Sequence, residues 1–302
     1  MISITIKKYT VFAGCIFLTL FLFTQCQPAF VKYPAKPLSS ESQTYWFGNT
    51  AEITSYKLTQ ARYGELREGT AVMLFVTEPF STKYFTKADE HRRGNVQVLK
   101  MNLTKNFETG IYPYSLMTST FYPMNGSASS LKLSASCQEW CGQTYVEMAN
   151  KGVFYFDIHS YFQGENQKVS VRNGFLEDDI WSCIKLHPDA LPEGDLLMVP
   201  SMFYARMLHA ETKAYPCTGQ LTKGDKMNRY TLHYPDLNRT LEIDFSPTFP
   251  FEIIAWKERY PDGFGNNKKM LTTEAVKMKS MKTAYWQNNQ NIHLPLRDSL
   301  GL

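Results

Sequence analysis

No part of this chain is apolar for the ~20 residues that a helix needs to cross a hydrocarbon core. The longest apolar run, Val11 to Phe23, is shorter than that and is interrupted by Gly14 and Thr19. Charge of one sign is also lacking. The chain has 32 Lys and Arg against 28 Asp and Glu, and no stretch gathers basic residues as a nucleic-acid binder does. Phosphate cradles are missing: there is no Walker loop and no Gly-x-Gly-x-x-Gly after a strand. The Gly-x-Ser-x-Gly elbow of the serine hydrolases does not occur either. Among His91, His159, His187, His209, His233 and His293, no two stand four apart, and none joins a compact cysteine cluster. Metal ligation depends on such spacing, so no metal is expected and no cofactor is implied. His209-Ala210-Glu211 comes nearest to a ligand pair but has no partners in sequence.

Cysteine is scarce, with six in 302 residues, and one of them organises the rest. Lys7 and Lys8 precede the apolar run, as in the charged n-region and h-region of a secretory leader. Phe23-Thr24-Gln25-Cys26 then resembles a lipobox, with Gln25 standing where Gly, Ala or Ser is usual. The expectation is a signal peptide over 1–25 and lipidation of Cys26. The mature chain would be tethered to a membrane of the cell envelope, the outer in preference to the inner, with its folded part outside the cytoplasm. Removing residues 1–25, which hold two Lys and no acid, lowers the net charge from +4 to +2. Residues 26–43 contain Pro28, Pro34 and Pro37 and then a polar Ser/Glu stretch, which fits an extended tether. Beyond Cys26 stand Cys137, Cys141, Cys183 and Cys217. In an oxidising compartment an even set predicts two disulfides, Cys137 with Cys141 and Cys183 with Cys217 being one of three pairings.

Aromatics are abundant, at 14% of the chain, and favour sheets. Val96–Leu103, Leu131–Ala135, Tyr230–Tyr234 and Leu241–Phe245 alternate apolar with polar residues, the period of a strand with one wet face. Tyr45-Trp46-Phe47 and Ala51–Tyr56 also read as strand. The pattern changes at Glu177-Asp178-Asp179. There acids precede Ile180, Trp181, Ile184 and Leu186 at helical spacing, and a second short helix is expected over Pro200–Leu208. A single mainly β domain over 44–287 follows. It is read as a large curved antiparallel sheet, half-barrel-like, with a small helical insert near 177–209 and a polar tail over 288–302.

Three groupings invite chemistry. Cys137-Gln138-Glu139-Trp140-Cys141-Gly142 admits a thiol enzyme or Cys-dependent hydrolase with Cys141 as nucleophile and His159 or Glu139 assisting. The Cys-x3-Cys spacing is not that of a redox motif, and structural cysteines account for it better. Asp157 with Glu177–Asp179 has the residue types of a glycosidase pair, but acids at a helix start already explain Asp178 and Asp179. An aromatic curved sheet can also present an apolar concave face to a lipid or another hydrophobic ligand.

Trp46–Tyr56, Ala61–Glu65, Phe107–Ser115 and Gln138–Gly142 together resemble a group of Bacteroidota envelope lipoproteins often labelled septum formation inhibitor Maf. True Maf proteins are nucleotide pyrophosphatases with a Ser-x-Ser-Pro-Arg-Arg motif near the N-terminus. That motif is absent here, so no such activity is carried over. The stretch from Asp195 to Trp256 is loosely similar to periplasmic lipoprotein carriers. The expectation is a non-enzymatic lipoprotein that binds a hydrophobic ligand or an envelope protein partner. A structural or assembly role and a thiol enzyme stand as alternatives.

Overall fold

The alternating runs assemble into one very large sheet in the computed structural model, which describes residues 36–89, 94–126, 128–172 and 174–302. Cys26, the leader and most of the tether lie outside the described residues. The chain enters through helix α1 (Ser40–Trp46) and forms β1 (Ala51–Arg62), β2 (Glu65–Ser81) and the short β3 (Thr86–Lys87). Then come β4 (Val96–Thr109), β5 (Tyr112–Pro123), β6 (Lys132–Glu139), β7 (Gly142–Asn150), β8 (Phe154–Ser160) and β9 (Gln167–Val171). The insert comprises β10 (Phe175–Leu176), helix α2 (Ile180–Leu186), β11 (Gly194–Val199) and helix α3 (Met202–Leu208). The remainder is β12 (Tyr215–Thr222), β13 (Asn228–Tyr234), β14 (Arg239–Phe245), β15 (Ile253–Asp262) and β16 (Lys269–Thr283). Among the described residues no helix is long and apolar enough to cross a membrane.

The strands lie in the order β10-β11-β12-β13-β14-β15-β16-β1-β2-β4-β5-β6-β7-β8-β9, with β3 on β2. Among the described residues only β10 and β11 pair in parallel. The two ends of the sheet, β9 and β10, are consecutive in the chain and joined by residues 172–174, yet they do not pair. The result is an open sheet of the expected class, mainly β and antiparallel, with a few short helices.

Its curvature follows from what the helices touch. α3 is seven residues long, about 10 Å, yet Tyr204 packs on Tyr260 of β15 while Arg206 bonds Glu139 of β6. In a flat sheet those strands, six steps apart, would stand about 29 Å from one another. One short helix meets both only because the sheet wraps around it. Register shifts at Ser55/Tyr56 and Asp244/Phe245 mark bulges, which bend strands and increase their twist.

Inward residues build the core. On β4 these are Leu99, Met101, Leu103 and Phe107, with Trp181 and Ile184 of α2 packed among them. The same parity carries Lys105 inside, where its ammonium lies 3.5 Å from Gln60 Oε1. The hairpins β1–β2, β4–β5, β6–β7, β8–β9 and β15–β16 all turn at one end of the sheet, as their registers require. The two-residue turn Tyr63-Gly64 has φ 60° and 77° at its central residues. Both are left-handed, as a two-residue turn matched to strand twist demands. α1 and the start of β1 lie at the opposite end.

Two expectations are corrected here. Tyr45-Trp46-Phe47 is not strand. Ser39 accepts from the Ser42 amide and caps α1, which buries Trp46 against Phe75. The polar tail is not loose either. Residues 291–300 form short turns, and Leu300 packs with Ala51, Ile53 and Val76.

Candidate binding site at the opening of the sheet

Glu177, Asp178 and Asp179 are all buried, and each holds a different element. Glu177 takes two 2.6 Å bonds from the Arg239 guanidinium and another from the Tyr234 hydroxyl, fastening the insert to β13 and β14. The same guanidinium donates to Glu258 at 2.8 Å. Burial opposes the Arg239 charge, and the two carboxylates more than offset it, so its pKa rises. Asp178 accepts from the Met202 amide at 3.0 Å and so seats α3. Asp179 accepts from the Ser130 amide at 2.9 Å and ties in the loop before β6. On α2, the fully buried Lys185 meets Glu52 of β1 at 2.7 Å.

Seated in this way, α3 leaves a cavity of about 290 Å³ between itself and β7–β9, at the open side of the sheet. Its apolar walls include Val146, Ile158, Met202 and Ala205. Its polar residues converge from three elements. His209 ends α3 in the left-handed conformation, φ 53°. Its Nδ1 lies 2.5 Å from Glu165 Oε1, and the other Glu165 oxygen accepts from the Ser160 hydroxyl at 2.7 Å. Arg206 donates from Nη2 to Glu139 Oε1 at 3.1 Å, with its guanidinium 4.5 Å from the Phe162 ring centre. The residue is only 8% exposed, its Nε and Nη1 have no accessible surface, and the guanidinium lies against the Cys137 side chain.

The order of these groups limits their chemistry. A hydrolytic triad places imidazole between hydroxyl and carboxylate. Here the carboxylate of Glu165 stands between Ser160 and His209, so this grouping gives the hydroxyl no imidazole base.

The sequence-derived pair is not brought together. Cys141 is exposed at the β6–β7 turn, and Glu139, hydrogen-bonded to its thiol, pushes the pKa above the ordinary value, against a nucleophilic thiolate. His159 points from β8 to Asp157 at 3.3 Å and stacks on Tyr145. No contact between Cys141 and His159 is found among the described residues. Asp157 faces His159 and Lys168, while Glu177–Asp179 are engaged in the interior, so this grouping of acids is not brought together at a cleft. The expected disulfides are not formed. Cys137, Cys141, Cys183 and Cys217 form no disulfide with one another. Cys137 is buried on the inner face of β6, two strand residues short of the turn that exposes Cys141, and the two are not bridged. Cys183 meets the Tyr122 hydroxyl, and burial pushes the Cys217 thiol up to about 12.

His209 and Glu211 line the cavity, so the one histidine–carboxylate neighbourhood noticed in the sequence does belong to the site. Arg206, Glu165 and Ser160 gave no sequence signal, because residues from a helix and a distant hairpin meet only through the wrapping of the sheet. Among the described residues no group of three His, Cys, Asp or Glu is placed to hold a metal. No family model matches the chain, and no curated protein or solved structure matches it either.

Proposed function

We propose that this is a non-enzymatic lipoprotein, anchored to the cell envelope through Cys26, that binds a small amphiphile in the cavity under α3. The observation that carries this reading is the cavity itself. Apolar walls surround it on two sides, and Arg206, His209 and Glu165 stand at its polar end. Its volume is at the small end of ligand pockets. It therefore suits an apolar body with a carboxylate or other hydrogen-bond-accepting head rather than a whole phospholipid. The concave face elsewhere is filled by α2, α3 and the core, which restricts the hydrophobic ligand expected on the curved sheet to this place.

The reading is tested by purifying the full chain from membranes in mild detergent and analysing the extracted small molecules by mass spectrometry. Ala205→Trp, which fills the cavity from the helix side, serves as the comparison. The expected outcome is an amphiphile bound to the native chain and absent from an equally stable variant. Identical extracts from both would remove the cavity as the binding site.

A further inference from the structure

The cavity opens at the end of the sheet where six neighbouring hairpins turn, and five of these turns carry an unusual surface. Ile111 is 85% exposed, Trp140 69%, Tyr161 70% and Phe264 65%. Each occupies the tip of a different hairpin. The apices Gly110-Ile111, Trp140-Cys141, Tyr161–Gly164 and Gly263–Asn267 contain no charged residue. Beneath them runs a continuous series of ring contacts. Phe264 stacks on Tyr63 at 5.4 Å, Tyr63 meets Tyr114 at 6.4 Å, Tyr114 meets Tyr112 at 5.9 Å, and Tyr112 stacks on Trp140 at 6.1 Å. Arg62 sits under this series, 4.0 Å from the Tyr63 ring centre, and donates to the hydroxyls of Tyr63 and Tyr114. The rim is therefore a braced row of aromatics spanning four hairpins, and the fifth hairpin extends it with Tyr161 and Phe162.

From this we infer that the hairpin rim is a membrane-docking surface, inserting Ile111, Trp140, Tyr161 and Phe264 into the interfacial layer of a lipid bilayer. Exposed apolar surface of this extent marks an interaction site. Its form selects the occupant. The tips are separate convex prongs, which a fluid interface accommodates without a complementary mould, whereas a protein partner would need matching pockets for each. Trp and Tyr are the residues that concentrate at headgroup level, where one end of the ring is apolar and the other is wet. Lys268 and Lys269, both exposed on the same hairpin as Phe264, add attraction to anionic headgroups.

Docking would place the cavity mouth at the lipid surface, because Glu165 of the same β8–β9 hairpin lines both the turn and the cavity. The inference goes beyond the binding reading and stands without it, since the measurement below registers the rim and not the ligand. An anchor at Cys26 does not forbid the same bilayer from being used. The chain from Cys26 to Ser40 extends at most about 50 Å, against about 40 Å for β1.

The test reconstitutes the full chain into vesicles of phosphatidylcholine with anionic phospholipid, with and without bromine on the acyl chains. Emission is assigned by difference from Trp140→Phe and from Trp286→Phe. Trp286 follows the far end of β16 and is partly exposed, so it controls for mere proximity through the anchor. The expected result is a loss of about half of the Trp140 emission or more to the bromines, with Trp286 unaffected. Replacing Lys268 and Lys269 by Gln should lessen the quenching only in vesicles containing anionic lipid. Unquenched Trp140 emission in chain shown by flotation to be membrane-bound would overturn the proposal. So would a Trp140 blue shift that depends on protein concentration without bromine quenching, which would assign the rim to a second copy. Quenching of Trp140 and Trp286 alike would overturn it too, as it would reflect the anchor alone.

Discussion

Asp178 and Asp179 are adjacent acids in the interior. Burial pushes Asp178 up to about 6 and Asp179 up to about 7, against an ordinary value of 3.8, while the amides of Met202 and Ser130 hold the carboxylates in place. Each folded value stands above the unfolded one, so the native state keeps protons that the unfolded chain releases. The resulting stability is whole below about pH 4 and is lost as pH rises through 6 and 7. For Asp179 the loss is at most roughly 4 kcal/mol. Thermal melts should therefore show the native chain more stable at pH 5 than at pH 8. Asp179→Asn keeps an acceptor for the Ser130 amide and abolishes the titration, so its melting temperature should vary less across that interval. An equal slope in both proteins would mean that another group carries the dependence.

At the scale of the elements, what was legible depended on whether a residue's neighbour along the strand decided its environment. Val96–Leu103, Tyr230–Tyr234 and Leu241–Phe245 are strands as their alternation predicts, and the acids before Ile180 do open the insert. Those acids were legible as a helix start but not as the fastenings of the insert to β14, α3 and the loop before β6, because their partners lie up to 62 residues away. Trp46 misled because an aromatic favours strand only in the absence of a cap, and Ser39 supplies one. Glycines show the same dependence on distant chain. At Gly69 an added Cβ would lie 2.3 Å from the Asn106 carbonyl oxygen and 2.7 Å from Phe107 Cβ, so β2 and β4 would have to part. At Gly142 it would meet only the side chain of the exposed Tyr161, at 2.6 Å. Gly69→Ala should cost about 2–3 kcal/mol in denaturant unfolding and Gly142→Ala well under 1 kcal/mol, the difference being backbone that cannot yield against a ring that can. Comparable losses would show that the β6–β7 turn is as constrained as the middle of the sheet.

For the whole molecule, composition predicted the class of sheet but not its closure problem. A meander of this length leaves two edges, and unpaired edges invite association with other chains. Here the edges are very short, five residues in β9 and two in β10, and α3 lies across the opening between them. At the far end the sheet is held by the tail, which crosses β16, β1 and β2. Leu300 is 8% exposed among Ala51, Ile53 and Val76, with Tyr285 and Leu302 beside it, and the Ser55 hydroxyl donates to the Leu300 carbonyl. The polarity of residues 288–302 hid this clasp, since only one residue of the segment is buried. Ending the chain after Gln290 uncovers Ile53 and Val76 and leaves the Ser55 hydroxyl without its acceptor. Lost burial of one leucine and its neighbours amounts to about 2–3 kcal/mol, and the hydrogen bond adds about 1 kcal/mol. The truncated chain should unfold at correspondingly lower denaturant concentration. Its cavity is formed at the opposite end of β1, so it should retain any bound amphiphile until it unfolds. Loss of the ligand from a truncated chain that is still folded would show that the two ends of the sheet are mechanically linked.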